Sequence, residues 1–274
     1  MQCALIIATY KQPVYLAWLL DSLMLQARIP DEVIVAEDDN SPETALVVER
    51  YRLANPTVRV KHVFHEDAGF RKSTTLNKAV AQTTCEKLVF LDGDCLPHPK
   101  MMYQYEKNLK PGVMLFGRPV YLPGSFFEQF TARTKPFRFS LFELIFNKAR
   151  SIEAGIYLPF LKPKKNENRA MQGSGWGCMR IDYIAVNGFD ENFNIGQYGF
   201  EDTDLNNRMK RAGILCLIMK NIGIYYHLGR PGVGDEKTEE KTAVNRRLLQ
   251  KNDDLQVVRC INGVSQWLNP TDRT

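Results

Sequence analysis

No run of 18 or more apolar residues occurs in this 274-residue chain, so no segment reads as a membrane-spanning helix. The six cysteines (Cys3, Cys85, Cys95, Cys178, Cys216 and Cys260) contain no C-x-x-C pair and no zinc-like spacing, which argues against a redox motif or a structural zinc. Several lie within apolar runs, where cysteine packs as a small hydrophobe, and reduced thiols in a cytoplasmic protein are the expectation. The N-terminus enters the apolar run Cys3 to Ala8 without the basic lead or small-residue cleavage site of a secretory signal. No G-x-G-x-x-G follows that run and no Walker A loop is present, which excludes the dinucleotide and P-loop fingerprints. Nucleic-acid-binding motifs are also missing, so nucleic acid is not an expected partner.

What is present is an alternation of strand and helix. Cys3 to Ala8 reads as a buried strand, and Pro13 to Gln26 as an amphipathic helix with proline at its start. Val33 to Ala36 is a second strand, running into Glu37-Asp38-Asp39-Asn40-Ser41. Ser41 then caps a helix to about Ala54, with Pro42 in its first turn. Val58 to Phe64, a helix near Ser73 to Ala81 and a strand over Leu88 to Leu91 continue the alternation. Such a pattern implies a mostly parallel sheet with right-handed crossovers, and ligands gather beyond the carboxyl ends of such strands.

That expectation lends weight to Asp92-Gly93-Asp94, which follows the fourth strand. Two carboxylates at a strand tip are costly unless a positive charge lies between them, and a hard cation shared with a phosphate-bearing ligand suits such oxygens. The competing reading is an Asp-Gly turn closing a hairpin. Further along, a helix is expected from Pro97 to Leu109 and a strand from Val113 to Leu122, broken near Gly117. Residues 123–170 lack periodicity and read as an irregular insertion. Within it, Arg133 to Arg169 holds nine Lys/Arg against three Glu, interleaved with Phe and Tyr, a composition suited to an anionic membrane surface or to a solvated face. Gln172 to Met179 is glycine-rich, and Trp176 there is open to two readings, a platform for a sugar ring or a plug in the core. Glu201-Asp202-Thr203-Asp204 heads a helix to about Ala212; acids are favoured in a first helical turn, but three in four residues exceed what capping requires. Apolar runs over Ile214 to Met219 and Ile222 to Tyr226 end at His227, and the tail is expected to be helical near Lys237 to Gln250.

Four pieces in order resemble family 2 glycosyltransferases: Ile6-Ile7-Ala8-Thr9-Tyr10, Val35 to Ser41, Asp92-Gly93-Asp94 and Gly199 to Asp204. The segment Gly173 to Gly213 also resembles the C-terminal module of β-galactosyltransferases and chondroitin-type polymerases. The resemblance spans about residues 3–230 and implies an α/β fold of the GT-A type, a Rossmann-like nucleotide-binding half with a mostly parallel mixed sheet fused to an acceptor-binding half. The implied division is 1–122 for nucleotide sugar, 123–170 for the insertion, 171–230 for acceptor and catalysis, and 231–274 for a helical tail. It implies an inverting transferase that moves a sugar from a UDP-sugar donor to a hydroxyl of a glycan or glycolipid acceptor, at the cytoplasmic face of a membrane. In that frame Thr9, Tyr10 and Asp39 line the base pocket, Asp92 reaches ribose or metal, and Arg71 or Lys72 contacts the donor. Asp94 and His227 ligate Mn²⁺ or Mg²⁺, Asp202 is the general base, and Glu201 holds the acceptor or donor sugar; Trp176, read as a platform from its own setting, would meet the acceptor beside it. A nucleotidyltransferase and an inactive glycan- or nucleotide-binding module are the rival readings, the first weakened by the lack of a basic phosphate loop between Ala8 and Pro13.

Overall fold

The computed structural model describes residues 1–124, 139–165, 171–193, 200–229 and 239–269. In chain order the elements are β1 (Cys3–Thr9), α1 (Pro13–Leu23), β2 (Glu32–Glu37), α2 (Pro42–Ala54), β3 (Arg59–Val63), α3 (Lys72–Ala81) and β4 (Lys87–Asp92). Then come β5 (Cys95–Pro97), α4 (Met101–Asn108), β6 (Val113–Phe116), β7 (Arg118–Leu122), α5 (Leu141–Phe146) and β8 (Lys164–Lys165). The chain continues through β9 (Gly175–Met179), α6 (Arg180–Ala185), α7 (Glu201–Arg211), β10 (Leu215–Ile218), β11 (Ile224–Leu228) and α8 (Glu239–Asp254).

An eight-stranded sheet in the order β3-β2-β1-β4-β9-β6-β10-β8 forms the centre of the molecule. Its first four strands are mutually parallel, as strands joined through helices must be. β9 runs against both β4 and β6, and β8 against β10, so the sheet is mixed but mostly parallel. This is the expected α/β class. The apolar strands are covered on both faces: α1, α2 and α4 contribute to one buried cluster, α3 and α6 to the other. Ser41 caps α2 as its sequence indicates, its hydroxyl accepting from the Thr44 N–H at 3.2 Å with Pro42 in the first turn.

Two elements differ from expectation. The helix expected from Pro97 begins only at Met101, because Cys95–Pro97 is a short strand paired with β11. The break near Gly117 is a change of sheet: β6 stays in the large sheet, while β7 joins β5 and β11 in a three-stranded one. A Cβ at Gly117 would lie 2.1 Å from the Gly223 carbonyl oxygen, so only glycine lets the chain cross there.

Candidate active site

The strand register brings the functional tips level. Within the large sheet Thr9 pairs with Glu37 and Ala8 with Asp92, so β1, β2 and β4 end side by side. The chain then folds tightly over β1: the Gly93 N–H donates to the Ala8 carbonyl at 2.7 Å, and a Cβ at 93 would stand 3.0 Å from that oxygen. Glycine is therefore required by close approach, and the turn delivers Asp94 directly into β5. Since β5 pairs with β11, with Cys95 opposite His227, the imidazole Nε2 comes to 3.8 Å from Asp94 Oδ1. The ligand atoms of Asp94, Cys95 and His227 lie within 4.8 Å of one another. Burial, then the neighbouring Asp94 charge, pushes the Cys95 thiol well above its ordinary pKa when no cation is present. A carboxylate and an imidazole beside a second carboxylate, Asp92, form a donor set that suits Mn²⁺ and, less well, Mg²⁺.

Lys72 opens α3 and places Nζ 2.6 Å from Asp92 Oδ1. Burial works to lower the Lys72 pKa, but the carboxylates of Asp92, Glu201 and Asp202 outweigh it and raise it. Burial raises Asp92, with Lys72 opposing and Asp94 adding to the rise. Arg71, the other cation considered for the donor, goes elsewhere: its guanidinium donates to the Glu66 carbonyl, and its backbone N–H donates to Asp38 Oδ2 at 2.8 Å.

The acids of α7 complete the site. Phe200, in the left-handed region at φ 54°, turns the chain sharply into the helix. Burial, then the charge of Asp202, lifts the Glu201 carboxyl from 4.5 to about 7. Asp202 Oδ2 accepts the Gly173 N–H at 3.1 Å, and Oδ1 accepts the N–H of Thr203 at 2.7 Å. A Cβ at Gly173 would sit 3.2 Å from that of Asp202, so the glycine brings the backbone leading into β9 against the helix start. Asp204 points the other way. It is buried, paired with Arg208 Nε at 2.7 Å and bonded by Asn252 at 2.8 Å, while Arg208 also donates to the Val186 and Gly188 carbonyls. It is thus a structural acid that fastens α7 to α6 and the C-terminal helix.

The tip of β2 forms the opposite wall. Glu37 is fully buried, 2.7 Å from His62 Nε2. Asp38 lies 2.7 Å from His65 Nε2 besides holding the Arg71 amide. Asp39 accepts a long 3.5 Å bond from the Lys11 amide; burial and then the charge of Glu37 raise its carboxyl to about 6. Thr9 Oγ1 is buried and has no hydrogen-bond partner among the described residues. Tyr10 is 39% exposed at the rim, its hydroxyl 3.4 Å from Asp67.

Of the residues expected at the site, the fold turns Arg71 aside and removes Trp176 altogether. It lies in β9, a central strand, fully buried and stacked on Phe90 with centroids 4.0 Å apart. It is a core plug and meets no acceptor. The flanking glycines read as a turn, but they belong to a strand under two tyrosines: a Cβ at 175 would come 2.4 Å from the Tyr225 ring, and one at 177 would come 2.7 Å from the Leu88 carbonyl. The expected lead-in from Gly196 to Gly199 lies outside the described residues. Three residues carry no sequence signal that marks them. Asp38 is indistinguishable from its acidic neighbours. Gln172 donates to the Tyr121 hydroxyl at 3.0 Å, and the Tyr121 ring in turn rests 5.6 Å from the His227 ring. These contacts join segments distant in sequence.

Comparison with known proteins gives three kinds of likeness. The glycosyl transferase family 2 model matches residues 4–161, and a model described as the N-terminal domain of galactosyltransferase matches residues 161–231. A validoxylamine A glucosyltransferase of Streptomyces hygroscopicus subsp. limoneus is 31% identical over 99 residues, which is 35% of this chain and 21% of that protein. Among solved structures, S. aureus TarS gives a TM-score of 0.63 at 17% identity, over 92% of this chain and 39% of that one. TarS 1-349 in complex with UDP-GlcNAc gives 0.60 at 14% identity, over 97% and 69% of the two chains. The mannosyltransferase PcManGT of Pyrobaculum calidifontis, in complex with GDP-Man and Mn²⁺, gives 0.59 at 16% identity, over 93% and 64%. The chain spans about a fifth of the curated relative and under half of full-length TarS. At these identities the structures speak for the fold, which is of the GT-A type.

Proposed function

The chain belongs to glycosyl transferase family 2, and from that membership and its site we propose that it is an inverting, metal-dependent transferase. It would move a sugar from a UDP-sugar to a hydroxyl of a glycan or glycolipid, at the cytoplasmic face of a membrane. The observation that carries the reading is the convergence of Asp94 and His227, the Lys72–Asp92 pair and the Glu201–Asp202 turn beyond the ends of β1, β2 and β4. The free cysteines agree with a reducing compartment.

Transfer makes a nucleoside diphosphate leaving group, whose growing negative charge needs a positive partner. Asp94 and His227 would hold a divalent cation, with Asp92 beside them; when bound, that cation offsets charge on the diphosphate. Lys72 supplies a fixed positive charge at the same place. Thr9, with its unspent hydroxyl, Tyr10 and the partly protonated Asp39 form the pocket assigned to the base, where an acid near pH 6 can donate as well as accept. Asp202 takes the proton of the acceptor hydroxyl. Its two backbone N–H bonds fix the direction of the carboxylate and leave lone pairs for that proton. Glu201 positions the acceptor, either hydroxyl-donating or carboxylate near neutral pH. No covalent intermediate is required, since a base and an acceptor suffice for a single displacement that inverts the anomeric centre.

The test is nucleotide release from a panel of UDP- and GDP-sugars, with Mn²⁺, Mg²⁺ or EDTA. Release from a UDP-sugar that EDTA abolishes is expected. Release indifferent to EDTA would remove the metal assignment, and turnover confined to GDP-sugars would change the donor.

A further inference from the structure

Among the described residues between β7 and β9, 139–165 show several large apolar side chains to solvent. In α5 (Leu141–Phe146), Leu141 is 48% exposed, Phe142 76%, Ile145 59% and Phe146 75%, while Leu144 is buried. At roughly 100° per residue these four exposed side chains span an arc of about 140°, one continuous face. Phe142 and Phe146 lie side by side, with ring centroids 6.2 Å apart. Ser140 and Glu143 form a capping box that fixes the helix even though only Leu144 anchors it in the core. Shortly after, Ile156 is 43% and Phe160 74% exposed. A surface helix ordinarily shows polar residues outward, so this face is reversed.

The charge around it is predominantly positive. Residues 139–165 carry five Lys/Arg (Lys148, Arg150, Lys162, Lys164 and Lys165) against Glu143 and Glu153, a net of +3, and the basic side chains are exposed. The segment is tied to the site: Phe139 packs on Tyr226 of β11, and Arg150 lies over the Tyr121 ring, which faces His227. A partner for this surface must accept bare aromatic and aliphatic groups while presenting negative charge. A second copy of the chain would set these cations against one another, and an acidic bilayer interface meets both demands.

We propose that the exposed face of α5 inserts into the interfacial region of an anionic membrane, with the neighbouring lysines on the lipid headgroups. Resting on the transferase reading above, this names the acceptor class as a lipid-linked hydroxyl, presented at the bilayer surface beside the Asp94–His227 side of the site. Insertion of Phe and Ile gives affinity that outlasts high salt, while the basic groups give a part that salt screens within a Debye length of roughly 8–10 Å.

Sedimentation of the full chain with phosphatidylcholine vesicles, with and without phosphatidylglycerol, at low and high salt, tests the proposal, with the F142S/F146S variant beside the parent. Binding should require the anionic lipid, weaken but persist at high salt, and fall by about tenfold or more in the variant. The variant changes only exposed side chains, and equal melting temperatures will verify its fold. Donor hydrolysis without vesicles should be the same in both proteins: its absence from both would sink the transferase reading and leave the membrane result standing. Equal vesicle binding by parent and variant, or no binding by the parent, overturns the proposal. So does a parent dimer in sedimentation velocity that the variant converts to monomer, because the face would then be an interface between copies.

Discussion

Two strand tips in this molecule carry acids, and the chain treats them in opposite ways. At the end of β2, Glu37 and Asp38 are consumed by the protein itself: His62 takes one, and His65 with the Arg71 amide takes the other. At the end of β4, Asp92 and Asp94 meet one lysine and one histidine, the latter at 3.8 Å, with Glu201 and Asp202 crowding the same space. Like charges brought together out of water are costly unless matched. The first tip is matched from within and forms a wall. The second is under-matched in charge, since the carboxylates of Asp92, Asp94, Glu201 and Asp202 share Lys72 and His227. Two acidic tips that look alike in sequence thus differ in how many carboxylates gather at one place.

Substitutions can break that contrast. The largest effect is expected at the under-matched site, where Asp202→Asn should lower kcat by about 10²–10⁴-fold with donor Kd unchanged, since a base acts in the transition state alone. Steady-state kinetics beside calorimetry will show it; an active Asp202→Asn with a dead Glu201→Gln would shift the base by one residue. Next, Asp94→Asn should cost more than the roughly 10–100-fold in metal affinity that even a supporting partner is worth, with no fall in melting temperature. Calorimetry with UDP and Mn²⁺ is the measurement, and unchanged affinity would free Asp94 from its role. At the matched tip the pattern should invert. Asp38→Ala leaves the Arg71 amide and His65 without their acceptor and should cost about 1–3 kcal/mol of stability, read as a lower denaturation midpoint.

A last effect, confined to a pH window, sharpens the comparison. The carboxyl of Glu201 titrates near 7 in the folded chain against 4.5 unfolded, so between those values the folded state holds the extra proton. Stability from this group is therefore lost as pH rises from about 4.5 through 7. Without metal or donor, Glu201→Gln should melt with the parent at pH 4 and above it at pH 8. Equal melting at both would mean that the carboxyl is not strained.

Most of the first half was legible because its signals are local. Proline and serine at helix starts, four apolar strands and two acidic tips follow one another with ordinary spacing, and the strand register aligned Thr9, Glu37 and Asp92 without help from distant chain. Asp94 and His227 lie 133 residues apart in sequence; each ends an apolar run, but His227 stood out as a metal ligand only through the family resemblance. The second half was harder. Gly175 and Gly177 look like turn residues, but they are glycines because rings and a carbonyl occupy the space of their side chains, a fact set by Tyr225, Tyr105 and Leu88 elsewhere in the chain. Reading the stretch as a turn left Trp176 open to the wrong role. The Asn252 bond to Asp204 and the contact of Gly173 with Asp202 likewise depend on packing between remote segments, although the rotation of Asp204 away from Asp202 follows from helix geometry alone.

Gly175 also governs something at a distance. The Tyr225 ring lies on its bare backbone, and Tyr225 stands two residues before His227 on the same strand, hence on the same face. A Cβ at 175 would come 2.4 Å from that ring, so one of the two strands would have to shift. A single methyl at 175 would act as a shim, lifting β11 and drawing the imbalance of the acidic tip wider by moving its imidazole from Asp94. The spacing between Asp94 and His227 thus depends on a glycine that touches neither of them.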